Sequence, residues 1–353
     1  MPMMPGTILR LLTGLLPGLL IAVFLLAAAP AAHAQLDQVV TPNSPSEKEE
    51  VELYQQLQGK VQGYVSIPDG KLATLVQPQG RDWREFRNYY GRIISLVVMG
   101  GMLLGLVGFY LFRGKIRIAA GRAGRTITRF MPIDRFAHWL TASSFIVLAL
   151  TGLMLIFGKP VMIPLFGHEA FTAMATLGKY AHNFLSFPFV LGILMMLVLW
   201  IKDNIPEKAD LTWIKQGGGF LNNGMHPEAG RFNAGQKMIF WTIVLGGLAM
   251  ALSGYMLMFP FYLTGVNGMQ IAHVVHTLGT AVLMAVIFGH IYIGTIGMEG
   301  AFDAMGNGEV DLNWAREHHA GWLKTQGIST DTRDGPSKVS TRHDPHPPGM
   351  PAE

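Results

Sequence analysis

The chain has 353 residues, half of them hydrophobic, only 14% charged, and a formal net charge of +4, a balance far from that of an ordinary soluble domain. It contains no cysteine, which excludes cysteine-ligated iron–sulphur clusters, thioether-linked haem, disulphides and thiolate zinc sites. The basic residues follow a loop pattern and not a single face, so no nucleic-acid partner is expected.

Residues 1–34 open with a lone Arg10, continue through an apolar stretch from Leu11 to Leu26, and end in AAAPAAHA with small residues at Ala32 and Ala34. That is the layout of a cleaved signal peptide, the alternative being an uncleaved first helix. Residues 35–91 are polar, with NSPSEKEE and QPQGRDWREF, and read as an exported segment. An extra transmembrane helix follows at 92–112, then a basic cytoplasmic linker at 113–135. Residues 136–298 hold four further spans: Phe136 to Phe157, Tyr180 to Ile201, and two within the stretch between Lys237 and Glu299, which lacks Asp, Glu, Lys and Arg. Each is close to the roughly 20 residues needed to cross a hydrocarbon core. FPFYLTGVNG supplies the turn between the last two. Residues 299–353 read as a cytoplasmic tail with a disordered end.

Lys and Arg concentrate in cytoplasmic loops of membrane proteins. Arg113, Lys115, Arg117, Arg122, Arg125, Arg129 and Arg135 lie between the first two mature spans, and Lys202, Lys208, Lys215, Arg231 and Lys237 between the third and fourth. The loops on the other side offer Lys159 and Lys179. An inner-membrane, multi-pass chain is expected, with its mature N-terminus outside the cytoplasm and its C-terminus inside.

With that topology, intramembrane histidines are functional candidates. His138 and His290 share the cytoplasmic depth, His182 and His276 the exported depth. Fourteen residues separate His276 from His290, so both lie within about 40° of one helix face and about 21 Å apart along the axis. A neutral imidazole is a good axial ligand for haem iron, and helix bundles build cofactor sites from facing side chains. Two depth-matched pairs point to two b-type haems. His273 is turned about 100° away and reads as an interfacial residue or one that supports the ligands. Gly246, Gly247, Gly254 and Gly279 serve either porphyrin faces or close helix packing; Trp139, Trp200, Trp241 and Tyr292 read as interfacial anchors. Arg129, Arg135, Lys202 and Lys237 are placed to neutralise haem propionates, where topology alone would also put them. His343 and His346 in the tail read as solvated.

The motifs IDRFAHWLTASSFIVLALTGLML, KYAHNF, WIKDNIPEKADLTWIK, GRFNAGQKMIFW, VVHTLG, GHIYIG and NWAREHHAGW, in that order over roughly 130–325, closely resemble the cytochrome b (gamma) subunit of membrane-bound respiratory formate dehydrogenases. The resemblance implies an all-α integral membrane fold, a four-helix di-haem bundle to which this chain adds one N-terminal span. It implies His138 and His290 as iron ligands of the cytoplasmic-side haem and His182 and His276 as those of the exported-side haem. It further implies a quinone site, for menaquinone or ubiquinone, at Asn233, Gly235, Gln236 and His290; FNAGQK alone also reads as a helix cap, with Asn233 capping. The implied partners are an iron–sulphur beta subunit and a molybdenum or tungsten alpha subunit, in a complex that moves electrons from formate to quinone and can form a higher oligomer. No formate-oxidising or other catalytic residue is expected in this chain. A nickel–iron hydrogenase or other periplasmic oxidoreductase is the nearest alternative; a histidine-using transporter is the alternative of another class, disfavoured because the spans hold no Asp or Glu.

Overall fold

The structure is a computed structural model, and it describes residues 80–219 and 227–330. The signal peptide, most of the exported polar segment, and the end of the tail with His343 and His346 lie outside the described residues.

Helix α1 (Gly80–Glu85) continues through a π-helical turn, Phe86–Tyr90, into α2 (Gly91–Arg113). The rod therefore begins inside the segment read as polar. It stops at Gly114, whose φ of 67° suits a residue without Cβ and whose N–H bonds to the Tyr110 carbonyl at 2.8 Å. Leu104, Leu111 and Phe112 on α2 are 74%, 79% and 85% exposed; lipid is the solvent that accepts such a face.

A short strand β1 (Thr126–Thr128) precedes α3 (Pro132–Trp200), 69 continuous helical residues broken in backbone geometry at Gly167, with φ 79° and ψ 172°. Pro160 and Pro164 just before the break weaken the helix ladder, and glycine alone adopts that φ/ψ readily. The two limbs, 132–166 and 168–200, fold back on each other. The pairs that meet are Met154 with Gly178, Thr151 with His182, Thr141 with Gly192 and Asp134 with Trp200. α3 is thus a helical hairpin containing both of the spans expected there.

After α4 (Lys208–Lys215), helix α5 (Ala234–Trp241) runs through the π turn Thr242–Gly246 into α6 (Gly247–Met258). The turn that follows includes Phe261 at φ 64°. Helix α7 (Val266–Tyr292) continues through a third π turn, Ile293–Gly297. α2 and α6 both pack on α7, so the helix carrying two candidate ligands is the central one. Counting both limbs of α3, five helical passes among the described residues are long and apolar enough to cross a membrane. The fold is an all-α membrane bundle.

The polar segments at one end of the bundle differ from the linker and tail read from sequence. β1 pairs antiparallel with β2 (Glu309–Asp311), Ile127 opposite Val310. α8 (Asp303–Gly306) precedes β2, and α9 (Leu312–His318) and α10 (Ala320–Thr325) follow it. The Glu317 carboxylate accepts the N–H groups of Ala119 and Ala120 at 3.0 and 2.9 Å, and Asp311 accepts that of Ala123. Ile116, Ile118, Phe130, Val310, Leu312, Trp314 and Leu323 form a buried core there. Neither segment can bury those side chains alone; they form a cap only by meeting across nearly two hundred residues.

Candidate cofactor-binding site

Pro132 starts α3 at its first position, and the Asp134 carboxylate accepts the Met131 N–H at 2.8 Å. The same carboxylate accepts the Trp200 indole N–H at 2.5 Å and pairs with Arg231 at 3.3 Å. Asp134 thereby ties the start of one limb to the end of the other and to the loop before α5. One turn further along, His138 faces His290 of α7, with ring centroids 6.0 Å apart and planes at 59°. Toward the opposite end, His182 of the second limb faces His276 of α7 at 6.1 Å and 67°. His276 and His290 are separated by about 21 Å of helix rise.

These separations have a simple meaning. With a metal–imidazole bond of about 2 Å on each side and each ring centre about 1 Å beyond its nitrogen, two imidazoles on opposite sides of one iron lie about 6 Å apart. Rotation about the ligand axis leaves the interplanar angle free. Among the described residues no group of three or more His, Cys, Asp or Glu is placed to hold a metal ion. A metal between either pair must bring its own equatorial donors, as a porphyrin does, so the residues present fit haem.

The remaining candidates divide clearly. His273 meets the Trp83 ring edge-on at 5.6 Å, and Arg87 also lies over that indole; it joins α1 to α7 and, among the described residues, stacks with no other histidine. Gly254 lies against His276, whereas Gly246, Gly247 and Gly279 admit Leu283, Ile193 and Met250. Packing therefore accounts for three of these four glycines. Asn233 caps α5: its side-chain oxygen accepts the Gln236 N–H at 2.9 Å, while the Gln236 side-chain oxygen accepts the Asn233 N–H at 3.1 Å. A Cβ on Gly235 would sit 2.9 Å from the Trp213 ring. Asn233, Gly235 and Gln236 lie at the end of the bundle that holds His138 and His290.

Lys237 donates to the Ile205 carbonyl, Glu207 and Asp210, all within 3.1 Å, and Arg135 donates to the Gly306 and Asn307 carbonyls. Arg129 is different. It donates to the Arg231 carbonyl at 2.6 Å and the Gln236 side-chain oxygen at 3.2 Å, lies over the Phe130 and Trp314 rings, and leaves its buried Nε unpartnered. Burial, with Arg231 beside it, lowers its pKa to about 9; it remains a cation at neutral pH. His319, fully buried nearby, donates from Nδ1 to the Gly230 carbonyl at 2.7 Å and is held well below the usual histidine range by burial and by Arg129.

Two residues escaped the sequence reading. Thr151 Oγ1 lies 2.8 Å from His182 Nδ1, and Ser253 Oγ lies 3.1 Å from His276 Nδ1. The signal that betrays them is an internal repeat, ALTGLML at 149–155 and ALSGYML at 251–257.

Residues 129–308, just over half of the chain, match the family described as prokaryotic cytochrome b561. The chain belongs to that family. As a cytochrome b561 it is a membrane protein that carries b-type haem. Relatives of this cytochrome include two from Escherichia coli (strain K12). The nitrate-inducible formate dehydrogenase cytochrome b556 subunit is 28% identical over 206 residues, 57% of this chain and 91% of the relative. A second formate dehydrogenase cytochrome b556 subunit is 27% identical over 212 residues, 59% and 97% of the two chains. The formate dehydrogenase cytochrome b556 subunit of Haemophilus influenzae is 26% identical over 208 residues, 58% and 84%.

Proposed function

We propose that this cytochrome anchors a formate dehydrogenase in the bacterial inner membrane, holds two b haems and serves the reduction of a quinone. The observation that carries the reading is the pair of facing imidazoles at each of two levels, 6.0 and 6.1 Å between ring centres, both completed by α7. His138 with His290, and His182 with His276, would hold the two haems. When bound, each haem supplies a one-electron carrier in an otherwise insulating bundle. Arg129, whose buried Nε has no partner, would offer a hydrogen bond to a propionate at the capped end.

The quinone site is assigned to Asn233, Gly235, Gln236 and His290. Both Arg129 and the Asn233 N–H aim at the Gln236 side-chain oxygen, which leaves the amide NH₂ as the donor for a quinone carbonyl. The many basic residues of the capped end support its placement in the cytoplasm; the end near His182 and His276 then faces outward, toward iron–sulphur and molybdenum or tungsten subunits that oxidise formate. The names of the relatives support the donor.

A reduced-minus-oxidised spectrum with a haemochrome count on the purified chain tests the cofactor: two b haems per polypeptide are expected, and none in folded protein overturns the reading. Formate added to membranes holding the complex should reduce the b bands, with reoxidation by quinone. Bands that respond to hydrogen and not to formate would replace the donor.

A further inference from the structure

The two histidines of the outward pair share a setting that, among the described residues, His138 on the opposite level does not have. Thr151 donates its single hydroxyl hydrogen to the carbonyls one turn back, Val147 at 2.7 Å and Leu148 at 3.1 Å. Ser253 does the same with Ala249 at 2.8 Å and Met250 at 3.2 Å. With the hydrogen committed, each hydroxyl offers only its lone pair to the imidazole beside it. His182 and His276 must then carry their hydrogens on Nδ1 and donate them, which leaves both Nε2 atoms bare. A bare Nε2 is the form that can bind iron.

The residue after each hydroxyl is glycine. A Cβ on Gly152 would lie 3.7 Å from the His182 ring and one on Gly254 only 3.1 Å from the His276 ring, so at Gly254 a larger residue would press on the ring. The repeat thus builds the same half-site twice, on the first limb of α3 for the second limb and on α6 for α7. At the other level, the buried Nδ1 of His138 has no hydrogen-bond partner.

We infer that Thr151 and Ser253 are positioning residues that lock the Nδ1–H tautomer of His182 and His276 and, by that hydrogen bond, lower the midpoint potential of the outward haem below that of the inward one. This rests on the di-haem reading above. Donation from Nδ1–H makes an imidazole more basic and a better donor to ferric iron; an unpartnered Nδ1 gives no such effect. The difference in support therefore sets a downhill direction, from the outward pair to the inward pair and the Gln236 end.

The test is a spectroelectrochemical titration of the purified complex carrying Thr151→Val, Ser253→Ala, the double change, and the conservative Thr151→Ser and Ser253→Thr. The expected result is an upward shift of one of two haem components in each single variant, larger in the double and largely reversed in the conservative pair. The component that moves should be the one missing from His182→Ala. Loss of that haem in the Val and Ala variants with retention in the conservative pair supports the same role. Two haems at unchanged midpoints in the double variant overturn the inference alone. Equal shifts of both components, or conservative variants that behave like Val and Ala, do so as well. A wild-type complex without haem defeats the di-haem reading itself.

Discussion

The two ends of the bundle hold their histidine pairs by different means. At the capped end, long-range ties converge: Asp134 joins Met131, Trp200 and Arg231, Lys237 is enclosed by two carboxylates, and two chain segments knit a small roof beneath His138 and His290. At the opposite end, the rings of His182 and His276 lean on hydroxyls of neighbouring helices, each hydroxyl bonded within its own helix. One pair depends on tertiary assembly and the other on a motif seven residues long. The lesson is that equal ligand geometry does not imply equal sensitivity to change.

Removing a ligand separates the ends most sharply. His276→Ala should halve the haem count and abolish quinone reduction while formate oxidation by an artificial dye persists; two haems in that variant would break the assignment. A change at the other end should act through stability. Asp134→Ala leaves the Trp200 and Met131 N–H groups without their acceptor and Arg231 without one of its partners, a loss of about 3 kcal/mol or more. Thermal unfolding should fall accordingly, with the His138/His290 haem released before the other.

Gly167→Ala strains the hairpin without touching either pair. A Cβ at φ 79°, ψ 172° costs about 1–3 kcal/mol, and the loss should appear in unfolding temperature with the spectrum unchanged. The smallest expected effect concerns pH at the cap. His319 is kept neutral in the folded state, its pKa well below 6.5, so the unfolded chain binds a proton that the folded one refuses. Its contribution is fully present above about pH 6.5 and is lost progressively as pH falls from there toward the lower folded-state pKa. Protection factors of the amides in 309–325 should fall as the pH is lowered below about 6.5, and His319→Asn should flatten that response.

Much of the bundle is legible in the sequence because the bilayer imposes length and composition: charge-bounded apolar runs mark the spans, and helical periodicity puts His276 and His290 on one face. Periodicity cannot say where helices end, which is why α3 runs unbroken through the expected loop until Gly167, with Lys159 and Lys179 inside it. The cap was hidden for a different reason. TIT and EVD are too short to announce strands, and their pairing depends on partners that only the folded bundle brings near. Thr151 and Ser253 were hidden because a hydroxyl in an apolar helix ordinarily bonds back to its own carbonyl. These do so as well, and only the comparison of 149–155 with 251–257 separates them from the rest. FNAGQK was legible as a cap, and the structure gives Asn233 and Gln236 that part.

Among the described residues α7 is the last of the five passes, and each histidine pair needs one residue from it. A ribosome that has finished the α3 hairpin and α6 has made two histidines that face nothing. Neither pair exists until His276 and then His290 have been synthesised and α7 has packed against α2 and α6. On the proposed di-haem reading, cofactor loading is therefore a late event in the birth of this protein, coupled to insertion of a single helix, and a chain interrupted at the Phe261 turn would enter the membrane with neither histidine pair complete.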